Sequence, residues 1–254
     1  MEITKEMYEK IAHLFPKQKS PPKISNLEAL NAILHILENG SKCRSLGKNW
    51  HTIYTRANRW AKNNVLGKIF IYLQKQGMIS INKRILCLDS TCIKVHPDSH
   101  GALKKMGKQA IGKTKGGFNT KIHMICTDEN NPVIFSLSPG NAGDAPCGRE
   151  LMGKLGKQKN QRYLLMDKAY EGDNTRLLAQ SLNFKPIVPP KSNRKNPWNF
   201  DKILYKSRNK VERLFRKIKR FRRIFTRYDK LDSLFLFFIH FAFIFDSLLR
   251  VNRP

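Results

Sequence analysis

Two short apolar runs, Arg84-Ile-Leu-Cys-Leu-Asp89 and Arg162-Tyr-Leu-Leu-Met-Asp167, each stop at an aspartate. Runs this short and this apolar suit buried strands better than helices. Residues 118–127 and 132–138 are also rich in β-formers and are separated by the turn signal Asp128-Glu-Asn-Asn. The pattern then alternates. Residues 173–182 read as a helix, Lys185-Pro-Ile-Val-Pro-Pro190 as a short strand closed by prolines, and 191–201 as a polar, basic loop. Two more helices follow, one around Glu212 and one over 234–249. Strands first, then strands alternating with helices, specify an α/β fold, a mixed sheet flanked by helices.

Residues 1–80 read differently, as an N-terminal all-helical region. Amphipathic stretches occur at 6–14, 26–37, 50–60 and 66–76, with Asn26 the expected N-cap of the second. Prolines between 16 and 22 mark a turn or linker. The third stretch mixes Trp50, His51, Tyr54, Arg56 and Arg59, as a DNA-contacting helix would; a plain helical bundle fits equally well. The expected division is therefore 1–80, helical with DNA binding as one reading, and 81–254, the sheet-containing domain.

Charge narrows the partner. The 254 residues carry 48 Lys+Arg against 19 Asp+Glu, a formal net charge of +29. At 41% hydrophobic content the chain is no disordered polycation. Such an excess points to a polyanion, whose neutralised phosphates release counterions. A ribosome-associated protein would be equally basic. The cysteines are Cys43, Cys87, Cys92, Cys126 and Cys147, with no C-x-x-C pair, so reduced, buried or inert thiols of a cytoplasmic protein are expected. The N-terminus lacks a basic-then-apolar signal pattern. The apolar run 234–245 is too short for a bilayer and contains His240, so it reads as a buried helix.

The chemistry centres on carboxylates. Sites in open α/β sheets form at the carboxyl ends of strands, where Asp89 and Asp167 are expected. Two adjacent unpaired carboxylates repel, and a divalent cation relieves that repulsion. Hard oxygen ligands without a Cys or His cluster favour Mg²⁺ or Mn²⁺ over zinc. A third acid stands alone in the basic segment 205–219. On one helix, Tyr205, Arg208, Glu212 and Lys219 fall within an arc of roughly 60°. Leu204, Val211, Leu214, Phe215, Ile218 and Phe221 form an apolar stripe beside it, and Lys206, Arg213, Arg216, Lys217 and Arg220 a cationic face. Taken singly, each acid has an ordinary reading: a turn at Asp89, a pair with Lys168 at Asp167, helix salt bridges at Glu212. Their occurrence as an ordered set argues for a site.

These segments resemble the bacterial insertion-sequence transposases of the DDE class, in the branch with an uninterrupted catalytic domain. Tyr205, Arg208, Glu212 and Lys219 match its Tyr-x2-Arg-x3-Glu-x6-Lys signature. Leu88-Asp89-Ser90-Thr91 and Met166-Asp167-Lys168-Ala169-Tyr170 are similar to its aspartate motifs. Gly116-Gly-Phe-Asn-Thr-Lys-Ile-His123 and Ser138-Pro-Gly-Asn-Ala-Gly-Asp144 resemble the intervening stretches. The resemblance spans about residues 84–249. It implies a ribonuclease-H-like fold in which Asp89, Asp167 and Glu212 hold two Mg²⁺ (or Mn²⁺) ions, roughly 3.5–4 Å apart, serving the nucleophile and the leaving 3′ oxygen. It implies cleavage at transposon ends, strand transfer into target DNA and no covalent protein–DNA intermediate. Arg208 and Lys219 would clamp the DNA backbone, with Tyr205, Lys168 and Arg216 as further DNA contacts. A homodimer or higher assembly on double-stranded DNA is implied by analogy, in the bacterial cytoplasm at the nucleoid and without a membrane. The competing readings are an inactive or decayed nucleic-acid-binding relative and a nuclease of the same fold that cuts without joining. One departure concerns the N-terminal region, where Ser45-Leu-Gly-Lys-Asn-Trp50 stands in place of a Trp-x-Leu-Pro-like element.

Other candidates read as structural. His123 sits inside an expected strand and suits a core histidine. His96 and His100 flank Asp98 without a third His or a Cys to complete a zinc site. Gly107-x4-Gly112-Lys113-Thr114 satisfies the letters of a phosphate loop, but no apolar strand leads into it. The Gly- and Lys-rich segment 101–117 reads better as a DNA-contacting loop.

Overall fold

A computed structural model describes residues 1–17 and 22–252. Residues 18–21, inside the proline-rich stretch read as a linker, lie outside it. The helices at the N-terminal end are α1 (Lys5–Ala12), α2 (Asn26–Asn39), α3 (Trp50–Lys62) and α4 (Val65–Lys75). Next come β1 (Ile85–Val95), β2 (Gly112–Thr114), β3 (Gly117–Asp128), β4 (Asn131–Pro139), α5 (Asp144–Leu155), β5 (Arg162–Met166), α6 (Asp173–Ser181) and β6 (Phe184–Ile187). The chain continues through α7 (Lys202–Tyr205), α8 (Asn209–Lys219), α9 (Arg222–Phe225), β7 (Thr226–Arg227) and α10 (Asp232–Val251). It divides into two compact units, one of Met1–Met78, Lys94–Gln109 and Ile218–Pro254, the other of Ile79–Ile93 and Ala110–Lys217.

In the second unit β3 is central to an antiparallel group, paired with β2 and β4, while β1, β5 and β6 run parallel. The path β4-β3-β1-β5-β6 is the mixed sheet of the ribonuclease-H-like class. Period-2 alternation splits the strand residues between two faces. Leu86 and Leu88 of β1, with Leu164 and Met166 of β5, join Leu151 and Met152 of α5 and Ala179 of α6 in one buried cluster. Cys87 takes the other face, where its Sγ donates to the Ser207 carbonyl at 3.6 Å.

The first unit is helical apart from short strand segments. The expected cap of α2 is displaced by one residue. Ser25 Oγ accepts from the Glu28 N–H, and the Glu28 carboxylate accepts from the Ser25 N–H, a reciprocal capping box. Asn26 is the first helical residue. The C-terminal helix also differs: α10 has 20 residues, long and apolar enough to cross a membrane by length and composition. Its aromatic residues, among them Phe235, Phe241, Phe243 and Phe245, are buried, and it packs on α3 and α4, with Phe70 edge-on to His240 at 5.4 Å. It is a core helix, as its sequence suggested, though not because it is short. At the end of β1, Lys94 and Val95 pair in parallel with β7.

Candidate active site

The parallel pairing of β1 with β5 runs from Ile85↔Tyr163 to Leu88↔Met166. The next residue on each strand is an aspartate, so the register alone sets Asp89 beside Asp167. Both lie on the alternation face of Cys87, opposite the α5 cluster. β5 ends there as expected. Asp167 caps the 3₁₀ turn Lys168–Tyr170, its Oδ1 accepting from the Ala169 N–H at 2.9 Å. The expectation that a strand also ends at Asp89 is wrong, because β1 continues to Val95. Ile93 and Val95, both buried, carry the strand onward.

Asp89 is held from two sides. Its Oδ1 accepts from the Ser90 N–H at 2.8 Å and its Oδ2 from Arg208 Nη1 at 2.7 Å. Burial pushes its carboxyl up to about 6, and Asp167 adds to that rise; the Ser90 N–H and the Arg208 charge oppose it. The other arm of the same guanidinium, Nη2, makes an ion pair with Glu212 Oε1. One cation therefore bridges the first and third acids. Burial acts to lower the Arg208 pKa, but Asp89, Tyr205, Glu212 and Asp167 outweigh it and hold it above its ordinary value. Asp89 is well covered while Glu212 is 45% exposed, so only the Asp89 half of the bridge is shielded from water.

The segment carrying these groups is not one helix. α7 ends at Tyr205, a 3₁₀ turn covers Lys206–Arg208, and α8 begins at Asn209. Ser207 and Asn209 are weak helix formers, and the Asn209 N–H bonds the carbonyls of Lys206 and Ser207. The shared arc expected for Tyr205, Arg208, Glu212 and Lys219 thus does not come from continuous helix geometry. Arg208 still reaches Glu212, from the turn. The apolar stripe holds: Val211, Leu214, Phe215, Ile218 and Phe221 are buried and Leu204 half-buried. Tyr205 packs edge-on to Phe200 at 5.5 Å, with the Arg208 guanidinium 5.9 Å from its ring. Lys168 and Arg216 are exposed. Lys219, the last residue of α8, borders a cavity with Asn39, Arg222 and Tyr228.

A fourth carboxylate escaped the sequence reading. Asp144, at the start of α5, accepts from Ser90 Oγ at 2.8 Å and from Lys121 Nζ at 3.0 Å. Ser90 thus joins Asp144 by its hydroxyl to Asp89 by its N–H. Tyr170 is fully buried nearby; burial first, then Asp144 and Asp89, drives its pKa upward, and Ser90 opposes the rise. Both Ser90 and Asp144 stood inside recognisable motif segments, but nothing in the sequence joined them.

The remaining candidates behave structurally. His123 is buried in β3, its Nε2 within 2.7 Å of Ser138 Oγ, and burial lowers its pKa to about 4. His96 Nδ1 accepts from the Asp98 N–H at 3.2 Å. Gly112–Thr114 forms strand β2 in place of the helix start that a phosphate loop requires. None of the five cysteines is in a disulfide; Cys87 and Cys126 are buried, Cys43 and Cys147 half-buried and Cys92 exposed. Among the described residues no three His, Cys, Asp or Glu side chains are grouped as a ready metal site. The donor set Asp89, Asp167 and Glu212 nonetheless suits a hard divalent ion. A guanidinium drawn in by two of these acids shows that they present negative charge in need of a cation.

A family model for the transposase DDE domain matches residues 81–244, and one for a transposase of the IS4/5 family matches residues 3–70. Over 124 residues the chain is 32% identical to a Brucella ovis protein named as a transposase for insertion sequence element IS6501, covering 48% of this chain and 93% of the relative. Its fold is similar to that of piggyBac transposase in a synaptic complex with hairpin DNA, at a TM-score of 0.52 and 10% identity, over 97% of this chain and 70% of that one. At such identity the likeness is one of fold alone.

Proposed function

Since the chain belongs to the transposase DDE family, and is thus an enzyme that cleaves and transfers DNA strands, we propose that Asp89, Asp167 and Glu212 are its catalytic carboxylates. Membership of the family carries with it the use of a divalent metal ion. The observation that supports the assignment is the pair of connections among the acids. The β1–β5 register sets Asp89 beside Asp167, and Arg208 ties Asp89 to Glu212.

In this reading the three carboxylates would hold two Mg²⁺ or Mn²⁺ ions, which would supply neutralisation of the charge that develops on the phosphodiester oxygens. The chain's own groups do the rest. Ser90 and the 3₁₀ turn after Asp167 fix the two aspartates through backbone N–H donors. Arg208 leaves its carboxylates when the site is loaded and turns its guanidinium to a backbone phosphate beside the scissile bond. Tyr205 backs it, and Lys168, Arg216 and Lys219 add phosphate contacts. The substrates are transposon ends and target DNA. Bringing two ends together requires a dimer or larger assembly, acting at the bacterial nucleoid in the cytoplasm. The helices of residues 1–80 supply end recognition, with Trp50, Tyr54 and Arg59 of α3 as contacts.

The test uses end-bearing duplex DNA and a target plasmid. With Mg²⁺ the native chain should nick at the ends and join them to the plasmid. Asp89→Asn should bind the ends but do neither; an active Asp89→Asn chain would remove the assignment.

A further inference from the structure

The opposite ends of the same two parallel strands form a second site. Arg84 immediately precedes β1 and Arg162 opens β5. Together with Lys83 and Lys159 they line an open cavity of about 630 Å³ whose other walls carry only Asn and Gln side chains. No carboxylate lines it. Lys83 is paired with Asp128, which leaves Arg84, Lys159 and Arg162 as cations with no acid partner among the described residues.

Arg162 is the telling residue. Its Nε donates to the Lys83 carbonyl at 2.9 Å, its Nη1 to Gln158 Oε1 at 2.9 Å and its Nη2 to the Ile81 carbonyl at 2.5 Å. Every acceptor is neutral. The guanidinium is fixed in place and partly buried, yet its charge is uncompensated. Burial accordingly lowers its pKa. Arg84 is also pre-positioned, its guanidinium 5.1 Å from the Tyr163 ring centre, with Lys185 Nζ on the same ring at 5.7 Å. The amide wall is braced: the Gln158 N–H donates to the Leu182 carbonyl at 3.0 Å, and Asn183 Nδ2 to the Gln158 carbonyl at 3.0 Å. Lys159 stands exposed at the rim.

We propose that this cavity is a second, sequence-independent phosphodiester-binding site, which holds the backbone of a DNA segment other than the one at the acids. Fixed cations and amide donors without a carboxylate suit phosphate oxygens. The open volume and the cations beside Tyr163 suit consecutive phosphates better than a single inorganic ion. The Tyr163 ring already carries Arg84 and Lys185, so no aromatic face is offered to a base. The proposal rests on the transposase reading only in naming DNA as the anion.

The experiment measures duplex DNA binding by fluorescence anisotropy across a salt series, in chelator, with the full chain. Arg84→Glu with Lys159→Glu should weaken binding by about tenfold or more and shallow the salt dependence by about two phosphate contacts. An exposed control pair, Lys154→Glu with Lys202→Glu, makes the same change of net charge and should weaken binding by less than about threefold. Equal losses in the two pairs, or no loss in the first, overturn the site. If Arg84→Glu unfolds the chain, Lys159→Glu alone carries the test. A photocrosslinker at position 160 should capture DNA; its failure to do so, while one at position 168 succeeds, also overturns the site. Inorganic phosphate should displace DNA from the cavity only weakly, and tight phosphate binding without DNA binding counts against the proposal. Cleavage by Asp89→Asn, by contrast, overturns the catalytic assignment and leaves this one standing.

Discussion

The two ends of the β1–β5 pair are built from the same backbone and opposite chemistry. An arginine immediately precedes β1 and another opens β5, and each strand reaches an aspartate just past the last residue of the pairing. At the starting end Arg162 is anchored by two carbonyls and an amide oxygen, so its guanidinium is held in place while its charge is open. At the far end Asp89 and Asp167 sit side by side, and charge is partly balanced by a borrowed cation, Arg208. Satisfying hydrogen bonds and balancing charge are separate requirements, and each end meets one of them better than the other. An end with open charge on an anchored side chain is rigid and binds. An end whose charge is balanced by a movable side chain can exchange it.

The sharpest way to break this comparison is at the acid end. Asp89→Asn, Asp167→Asn or Glu212→Gln should each lower end cleavage in Mg²⁺ by about 10³-fold or more, as loss of a metal-organising ligand does. Metal-free binding of end DNA should stay within about threefold of the native value. Loss of binding in step with cleavage would mean that the acids support the fold and not the reaction.

Arg208 tests whether the borrowed cation is exchangeable. Arg208→Gln should raise Mn²⁺ affinity without DNA by about tenfold, because the competing cation is gone. The same variant should cleave about a hundredfold more slowly for want of its phosphate contact. Unchanged or weaker Mn²⁺ binding, read by paramagnetic resonance, would show that Arg208 organises the acids and does not occupy their place.

Arg162→Ala should destabilise the chain by about 2 kcal/mol, since it leaves two carbonyls and an amide oxygen without their donor. A denaturant titration measures this; a neutral result would mean that water replaces the guanidinium.

A comparable effect concerns pH. Asp89 carries a folded-state pKa raised to about 6 from 3.8. The folded chain therefore binds more protons than the unfolded one between those values, and stability falls as pH rises through that window. Asp89→Asn removes this fall, so its stability relative to the native chain should improve from pH 4 to pH 7 by about 2 kcal/mol. A difference that stays constant with pH would place the Asp89 titration outside the window.

Much of this was legible before any coordinates. Short apolar runs, β-rich stretches and turn signals located the strands, and the ordered motifs around Asp89, Asp167 and Glu212 singled these acids out as candidates. What the sequence could not convey was contact. β1 runs beyond Asp89 because Ile93 and Val95 find burial there, and that burial depends on the fold. The break before α8 follows from hydrogen bonds around Asn209, which compete with a helix of good overall propensity. The Ser25–Glu28 box was readable in Ser-x-x-Glu, but Asn26, an equally good cap type, stood next to it. The Asp144–Ser90 bond and the cavity at Arg162 join residues far apart in the chain, and no local pattern announces such pairs.

Gly148 carries a last consequence. A Cβ built there would lie 2.5 Å from Tyr170 Cε1 and 3.2 Å from a Leu88 methyl. Leu88 directly precedes Asp89, and Tyr170 closes the turn that Asp167 caps. A single methyl group on α5 would therefore press on the supports of both aspartates from behind. The missing side chain at this position works as a tolerance in the mounting of the two acids, and it sets how finely their separation can be held.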